Sequence, residues 1–248
     1  MAASSTARAT ERIRAARERG LRYAKRVPTI THVIFDMDGV LLDTEPLYTQ
    51  ATQQVVGAFG KVFDWSIKCE MMGRGALDAA KYLVERLSLP ISPEEYLRRH
   101  QPELERLCRR AEAKVGAEHL VEALHDRGVP IAVATSSRRA LFALKTERHG
   151  WFERFDAVVC GDDPRVQRSK PAPDIFLVAA ADLGATPNAC LVFEDSPAGV
   201  EAAHAAGMFV VALPDPNMDR SRYPLAHRII ESFADVDLDE LRITPPSR

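Results

Sequence analysis

THVIFDMDGVLLD, residues 31–43, changes character halfway along. From Thr31 to Phe35 every residue except His32 is β-branched or aromatic, and no Gly or Pro intervenes, which is the composition of a short buried strand. Asp36, Asp38 and Gly39 follow, residue types that a strand interior disfavours, so the strand is expected to end at Asp36. Two carboxylates at a spacing of two, then a glycine able to take positive φ, have the makings of a reactive site. A solvated turn uses the same residue types. The tetrapeptide alone does not separate the two readings.

Its company does. Two further junctions from apolar run to polar residue lie downstream, Thr135 after PIAVA and Glu194-Asp195 after CLVF, with Lys170 ahead of a Pro-x-Pro between them. Strands are expected at Pro130–Ala134, Ala157–Cys160, Ala189–Phe193 and Met208–Leu213. Helices are expected between them at Gly116–Arg127, Ala140–Arg148, Pro173–Leu183 and Pro197–Ala206, several of them closed by a glycine (Gly128, Gly184, Gly207). Alternating strands and helices predict an α/β fold with a parallel sheet covered on both faces. In such a sheet ligands bind outside the carboxyl ends of the strands, so these junctions are expected to converge on one crevice.

One interval breaks the alternation. After the first strand, helices are expected at Leu47–Phe59, Ala76–Leu87 and Pro93–Ala111, the last with Ser92 as cap and Pro93 in its first turn. Roughly seventy residues without strand character far exceed a crossover connection, so an inserted helical subdomain is expected over residues 47–115. Residues 30–46 and 116–248 then form the core. Within the insertion, Met71-Met72-Gly73-Arg74-Gly75 lies between helices, where a loop can reach the crevice and Arg74 can meet a polar part of a ligand. A plain connection with an exposed arginine is the alternative.

The 248 residues carry a net charge of −2, which offers no basic surface for nucleic acid. No apolar run reaches the roughly 18 residues of a membrane span. Cys69, Cys108, Cys160 and Cys190 show no paired CxxC spacing, so a reducing, cytoplasmic compartment is expected. A monomer is expected as well. Residues 1–29 stand apart. They hold Arg8, Arg12, Arg14, Arg17, Arg19, Arg22, Lys25 and Arg26 against Glu11 and Glu18. A solvated basic extension fits this composition better than an organellar transit peptide, because glutamates interrupt it.

Asp36-Met37-Asp38-Gly39, Thr135, Lys170 and Glu194-Asp195, in that order, resemble the four motifs of the haloacid dehalogenase (HAD) superfamily. The segments GDDPRVQRSKPAPDIFL and CLVFEDSPAGVEAAHAAGM are similar to those of eukaryotic pseudouridine-5'-phosphatases and their glycerol-3-phosphatase relatives. The resemblance implies a Rossmann-like core with an inserted helical cap. It implies Asp36 as a nucleophile that forms an aspartyl-phosphate, and Asp38 as the acid that protonates the leaving oxygen and later activates water. Mg²⁺ is implied as cofactor, held by Asp36, the backbone carbonyl of Asp38, and Asp195, with Glu194 binding it directly or through water. Thr135, the Ser136 amide and Lys170 are implied to hold phosphoryl oxygens. Dehalogenases and phosphonatases of the superfamily lack an acid at the position of Asp38, so its presence points to a small phosphomonoester, or to a phosphomutase. Pseudouridine-5'-phosphate comes first among the expected substrates and glycerol-3-phosphate second. One departure from these relatives is Val115-Gly116 where they carry Pro-Gly.

Overall fold

A computed structural model describes residues 28–72 and 75–246. Residues 1–27 of the expected basic extension lie outside the described residues, as does Arg74. One sheet of six parallel strands organises the rest, in the order β3-β2-β1-β4-β5-β6. The strands are β1 His32–Phe35, β2 Ile131–Thr135, β3 Ala157–Cys160, β4 Cys190–Glu194, β5 Phe209–Ala212 and β6 Arg228–Ile229.

β1 lies at the centre because its residues are apolar on both faces. Val33, Ile34 and Phe35 pair with Ile131, Ala132 and Val133 on one side and with Leu191, Val192 and Phe193 on the other. Side chains alternate across a strand. Val33, Phe35, Val133, Phe193 and Val211 therefore share one face, with Leu120, Val121 and Leu124 of α5 (Ala117–Asp126). Ile34, Ala132, Val192 and Val210 share the other, under Phe176 and Ala179 of α7 (Asp174–Asp182) and Val200 and Ala203 of α8 (Pro197–Ala205). Phe35 stacks on Phe193 at 5.1 Å between centroids. Truncating such a core aromatic costs about 3–5 kcal/mol.

Between β1 and α5 come α1 Glu45–Gly57, α2 Trp65–Met71, α3 Ala76–Leu87 and α4 Pro93–Cys108. They bury a core of their own, with Val55, Val56, Ile67, Leu83, Leu89 and Tyr96 at its centre. A smaller cluster of Ala51, Leu104, Leu107 and Cys108 receives Leu141 from α6 (Arg139–Thr146), joining this layer to the sheet side. The chain leaves and re-enters along one seam. Asp43 N–H donates to Glu112 O at 2.8 Å, and Lys114 N–H donates to Leu41 O at 2.9 Å.

The sequence does not signal α2 or β6. Asp64 caps α2, its Oδ1 accepting from Ile67 N–H at 3.1 Å, but the helix spans less than two turns. β6 has 2 residues, too few for any alternation to show. The last expected helical turn of α4 is absent: Arg110 and Ala111 N–H bond instead to the Leu107 and Cys108 carbonyls. No helix among the described residues is long and apolar enough to cross a membrane.

Candidate active site

The central strands deliver their carboxyl ends side by side. Asp36 follows β1, Thr135 ends β2, and Glu194 ends β4 with Asp195 next to it. Because β2, β1 and β4 are neighbours and parallel, these residues share one edge of the sheet. Asp36 N–H donates to Phe193 O at 2.9 Å, which fixes the nucleophile candidate one residue beyond the paired stretch.

Lys170, from the segment between β3 and α7, gathers the three ends. Its Nζ donates to Asp36 Oδ1 at 2.5 Å, Glu194 Oε1 at 2.8 Å and Ala134 O at 3.3 Å. An ammonium has three donors, and they find acceptors on β2, on β4 and on the residue that follows β1. Burial disfavours the ammonium, but the Asp36 and Glu194 carboxylates outweigh it and hold Lys170 above the usual lysine range. Glu194 Oε2 accepts from the Ser196 amide at 2.7 Å and its hydroxyl at 3.1 Å, so both of its oxygens are engaged.

Asp36, Glu194 and Asp195 each offer an oxygen within 4.8 Å of the others, and all three are buried. One lysine does not balance them. Burial pushes the Asp36 carboxyl up to about 7 against the pull of Lys170, and the charges of Glu194 and Asp38 push the same way. Asp195 is raised by burial and then by Glu194 and Asp36. No described residue donates a hydrogen bond to the Asp195 carboxylate. A hard divalent cation with oxygen ligands fits this donor set, because it supplies the missing positive charge. Glycines make the room. A Cβ at Gly39, whose φ is +78°, would lie 2.2 Å from Asp195 Oδ2, and one at Gly199 would overlap the Glu194 carboxylate.

Asp38 belongs to a second network. Its Oδ1 accepts from Thr44 Oγ1 at 2.7 Å and Lys145 Nζ at 2.5 Å, and its Oδ2 from Ser137 Oγ at 2.9 Å. Burial raises its pKa, but Lys145, Thr44 and Ser137 together hold it below the ordinary carboxylate value. The two aspartates of one short motif thus stand in opposite environments. Thr135 is fully buried beside them, its Oγ1 accepting from Ser137 N–H at 3.1 Å. Ser136 is exposed.

A cavity of about 600 Å³ opens against Lys170, Pro171 and Ala198 on the sheet side. Its opposite wall is Met72, Gly75 and the face of α3 that carries Asp78, Lys81, Tyr82 and Glu85. The structure brings Asp36, Asp38, Thr135, Lys170 and Glu194-Asp195, the residues expected from the sequence, together along one edge. Sequence reasoning missed Lys145, Ser137, Thr44 and Tyr48. The available signal was thin: Thr44 precedes α1 as an N-cap, yet its hydroxyl goes to Asp38 instead of the helix.

A family profile described as haloacid dehalogenase-like hydrolase matches residues 30–207. The chain is 46% identical over 210 residues to the "Probable pseudouridine-5'-phosphatase" of Drosophila melanogaster, covering 83% of this chain and 91% of that protein. It is 44% identical over 223 residues to (DL)-glycerol-3-phosphatase 2 of Arabidopsis thaliana, covering 88% and 93%. Among solved structures, a HAD family hydrolase from Deinococcus radiodurans R1 with bound phosphate and sodium superposes with a TM-score of 0.71 at 28% identity, covering 88% of this chain and 99% of that one. The chain belongs to the haloacid dehalogenase-like hydrolase family, and both of the relatives named above carry phosphatase names.

Proposed function

We propose that this haloacid dehalogenase-like phosphatase hydrolyses a small phosphomonoester with Mg²⁺ as cofactor, and that pseudouridine-5'-phosphate is its preferred substrate. The observation that carries the reading is the unlike pair, Asp36 bonded to Lys170 within a carboxylate cluster and Asp38 bonded to three donors beside it. Asp36 attacks phosphorus and forms an aspartyl-phosphate, while Asp38 protonates the leaving oxygen and then takes the proton of the attacking water. Asp38 rests ionised, and the charge of an arriving phosphate dianion pushes its pKa back up. Thr135, the Ser136 amide and Lys170 serve the phosphoryl oxygens. Asp36, the Asp38 carbonyl and Asp195 would hold the cation, with Glu194 holding Lys170 and closing the set directly or through water. When bound, the ion supplies the charge compensation that lets two carboxylates meet a phosphate.

The helices of residues 47–115 act as a cap over a core of residues 30–46 and 116–248, hinged at the Leu41–Asp43 and Glu112–Lys114 seam. Arg74, outside the described residues, is assigned to the polar end of the substrate. The cavity's volume of about 600 Å³ and its mixed lining of Tyr82, Asp78, Lys81 and Glu85 support a nucleoside monophosphate, which carries both a flat base and polar hydroxyls. Glycerol-3-phosphate would leave most of that space to water. It remains the second reading because the two named relatives differ so little in identity. The four unpaired cysteines suit a reducing compartment, and we assign the enzyme to the cytoplasm as a monomer. A panel of phosphate esters assayed for phosphate release with Mg²⁺ tests the reading. Pseudouridine-5'-phosphate should give the highest kcat/KM, and a panel without phosphate release would overturn the function.

A further inference from the structure

Lys145 comes from α6, a helix to which the proposed reaction gives no role, and it is the buried residue of that helix, 1% exposed. Lysine is rarely buried this fully unless its ammonium is paired, and an apolar side chain of similar volume would fill the place without desolvating a charge. The three donors of Lys145 are all engaged. Nζ donates to Asp38 Oδ1 at 2.5 Å, to Ser137 Oγ at 2.9 Å and to Tyr48 Oη at 3.0 Å. Ser137 in turn donates to the other oxygen of Asp38, and Thr44 shares Oδ1. The carboxylate is therefore gripped from α6, from the turn after β2 and from the residue ahead of α1. Three directions of attachment leave it no free rotation about its side-chain bonds.

We propose that Lys145 is a positioning residue that orients the Asp38 carboxyl for proton transfer, and that through Tyr48 of α1 it links that orientation to the helical layer. The inference rests on the phosphatase reading of Asp36 and Asp38 above. It has a chemical signature. When the phosphorus–oxygen bond of an alkyl phosphate breaks, the departing alkoxide needs the proton of Asp38. A p-nitrophenolate leaves without one. In the second step water attacks the aspartyl-phosphate, its proton goes to Asp38, and the bond electrons return to the Asp36 carboxylate as inorganic phosphate departs. A misplaced Asp38 thus slows alkyl ester cleavage and slows hydrolysis of the intermediate, but spares the first step of an aryl ester.

Lys145→Met separates these steps in the Mg²⁺-loaded full chain. The probes are p-nitrophenyl phosphate and either pseudouridine-5'-phosphate or glycerol-3-phosphate, whichever the wild type turns over faster. For the alkyl ester, kcat/KM should fall about a hundredfold, the scale of one general acid. For p-nitrophenyl phosphate, kcat/KM should stay within about threefold while kcat drops and a burst of p-nitrophenolate, one per enzyme, appears, as expected when the intermediate accumulates. Ser137→Ala removes one donor to Asp38 without leaving a charge unpaired, and should give the same split at about tenfold, the scale of one hydrogen bond. It decides the question if Lys145→Met does not fold. Equal losses on both esters, or no loss on either, overturn the inference while the phosphatase reading stands. A wild type that releases phosphate from neither ester overturns both.

Discussion

In the proposed role of nucleophile Asp36 has to be ionised, yet burial and two neighbouring carboxylates push it toward the neutral form, and Lys170 alone opposes them. Asp36→Asn keeps the shape and removes one of the three clustered charges, and Lys170 retains Glu194. Phosphate release should fall by at least about a thousandfold, as removal of a nucleophile does. The melting temperature in metal-free buffer should equal or exceed that of the wild type, since relief of like-charge repulsion stabilises the fold. A tenth of wild-type activity would exclude Asp36 as nucleophile, and a clearly lower melting temperature would show that its charge serves the fold. Asp36, Glu194 and Asp195 were legible in the sequence because each carboxylate follows an apolar strand at a definite place, and Lys170 only through the company of those motifs, since alone it reads as an exposed loop lysine. Lys145 was not. A lysine in an expected helix reads as a solvated side chain, and only the fold brings it to Asp38 across 107 residues.

At the scale of elements, α3 was legible to the residue and α4 was legible at its start, where Ser92 Oγ accepts from Glu95 N–H at 3.2 Å. What α4 buries was not legible. His100, 8% exposed, stacks on Tyr96, and its Nε2 lies 3.4 Å from Thr52 Oγ1, to which Tyr96 donates. Burial lowers the His100 pKa to about 4 from 6.5. Between those values the unfolded chain binds a proton that the folded chain refuses. The stability this group contributes is thus complete above the unfolded pKa, falls as pH drops through that window, and is level below the folded pKa, an effect of up to about 3 kcal/mol. His100→Phe keeps the stacking and removes the titration. Urea midpoints at pH 7.5 and pH 5 should separate more for the wild type than for the variant. Equal separations would mean that His100 is not the group responsible. The helix α2 and the strand β6 escaped the sequence for a different reason: both are too short for a periodic pattern, and tertiary packing holds them in place.

For the whole molecule, the reactive edge of the sheet faces the helical layer across a cavity, with a carboxylate cluster that asks for a cation. Chelator should abolish activity and Mg²⁺ restore it, with a higher melting temperature in Mg²⁺ by mass action. Ca²⁺, larger and looser in coordination, should bind and inhibit, so full activity in Ca²⁺ alone would contradict the assignment. The same architecture permits two fates for an aspartyl-phosphate, and the carboxyl at Asp38 serves both, because each returns the phosphoryl group to an oxygen. A mutase holds water away until a second hydroxyl of the substrate arrives. A phosphatase admits water while Asp38 is in place to take its proton. The grip of Thr44, Ser137 and Lys145 on Asp38 favours the second, since a fixed base needs no substrate to bring it into position. Pseudouridine-5'-phosphate should then be hydrolysed with a kcat of about 1–10³ s⁻¹. In oxygen-18 water each released phosphate should gain one heavy oxygen, because water attacks phosphorus and leaves the sugar carbon untouched. Rapid conversion of glucose-1-phosphate to glucose-6-phosphate, with negligible phosphate released from any ester, would replace the hydrolase with a mutase. Cleavage of glycerol-3-phosphate with pseudouridine-5'-phosphate ignored would keep the chemistry and change only what the α3 wall of the cavity selects.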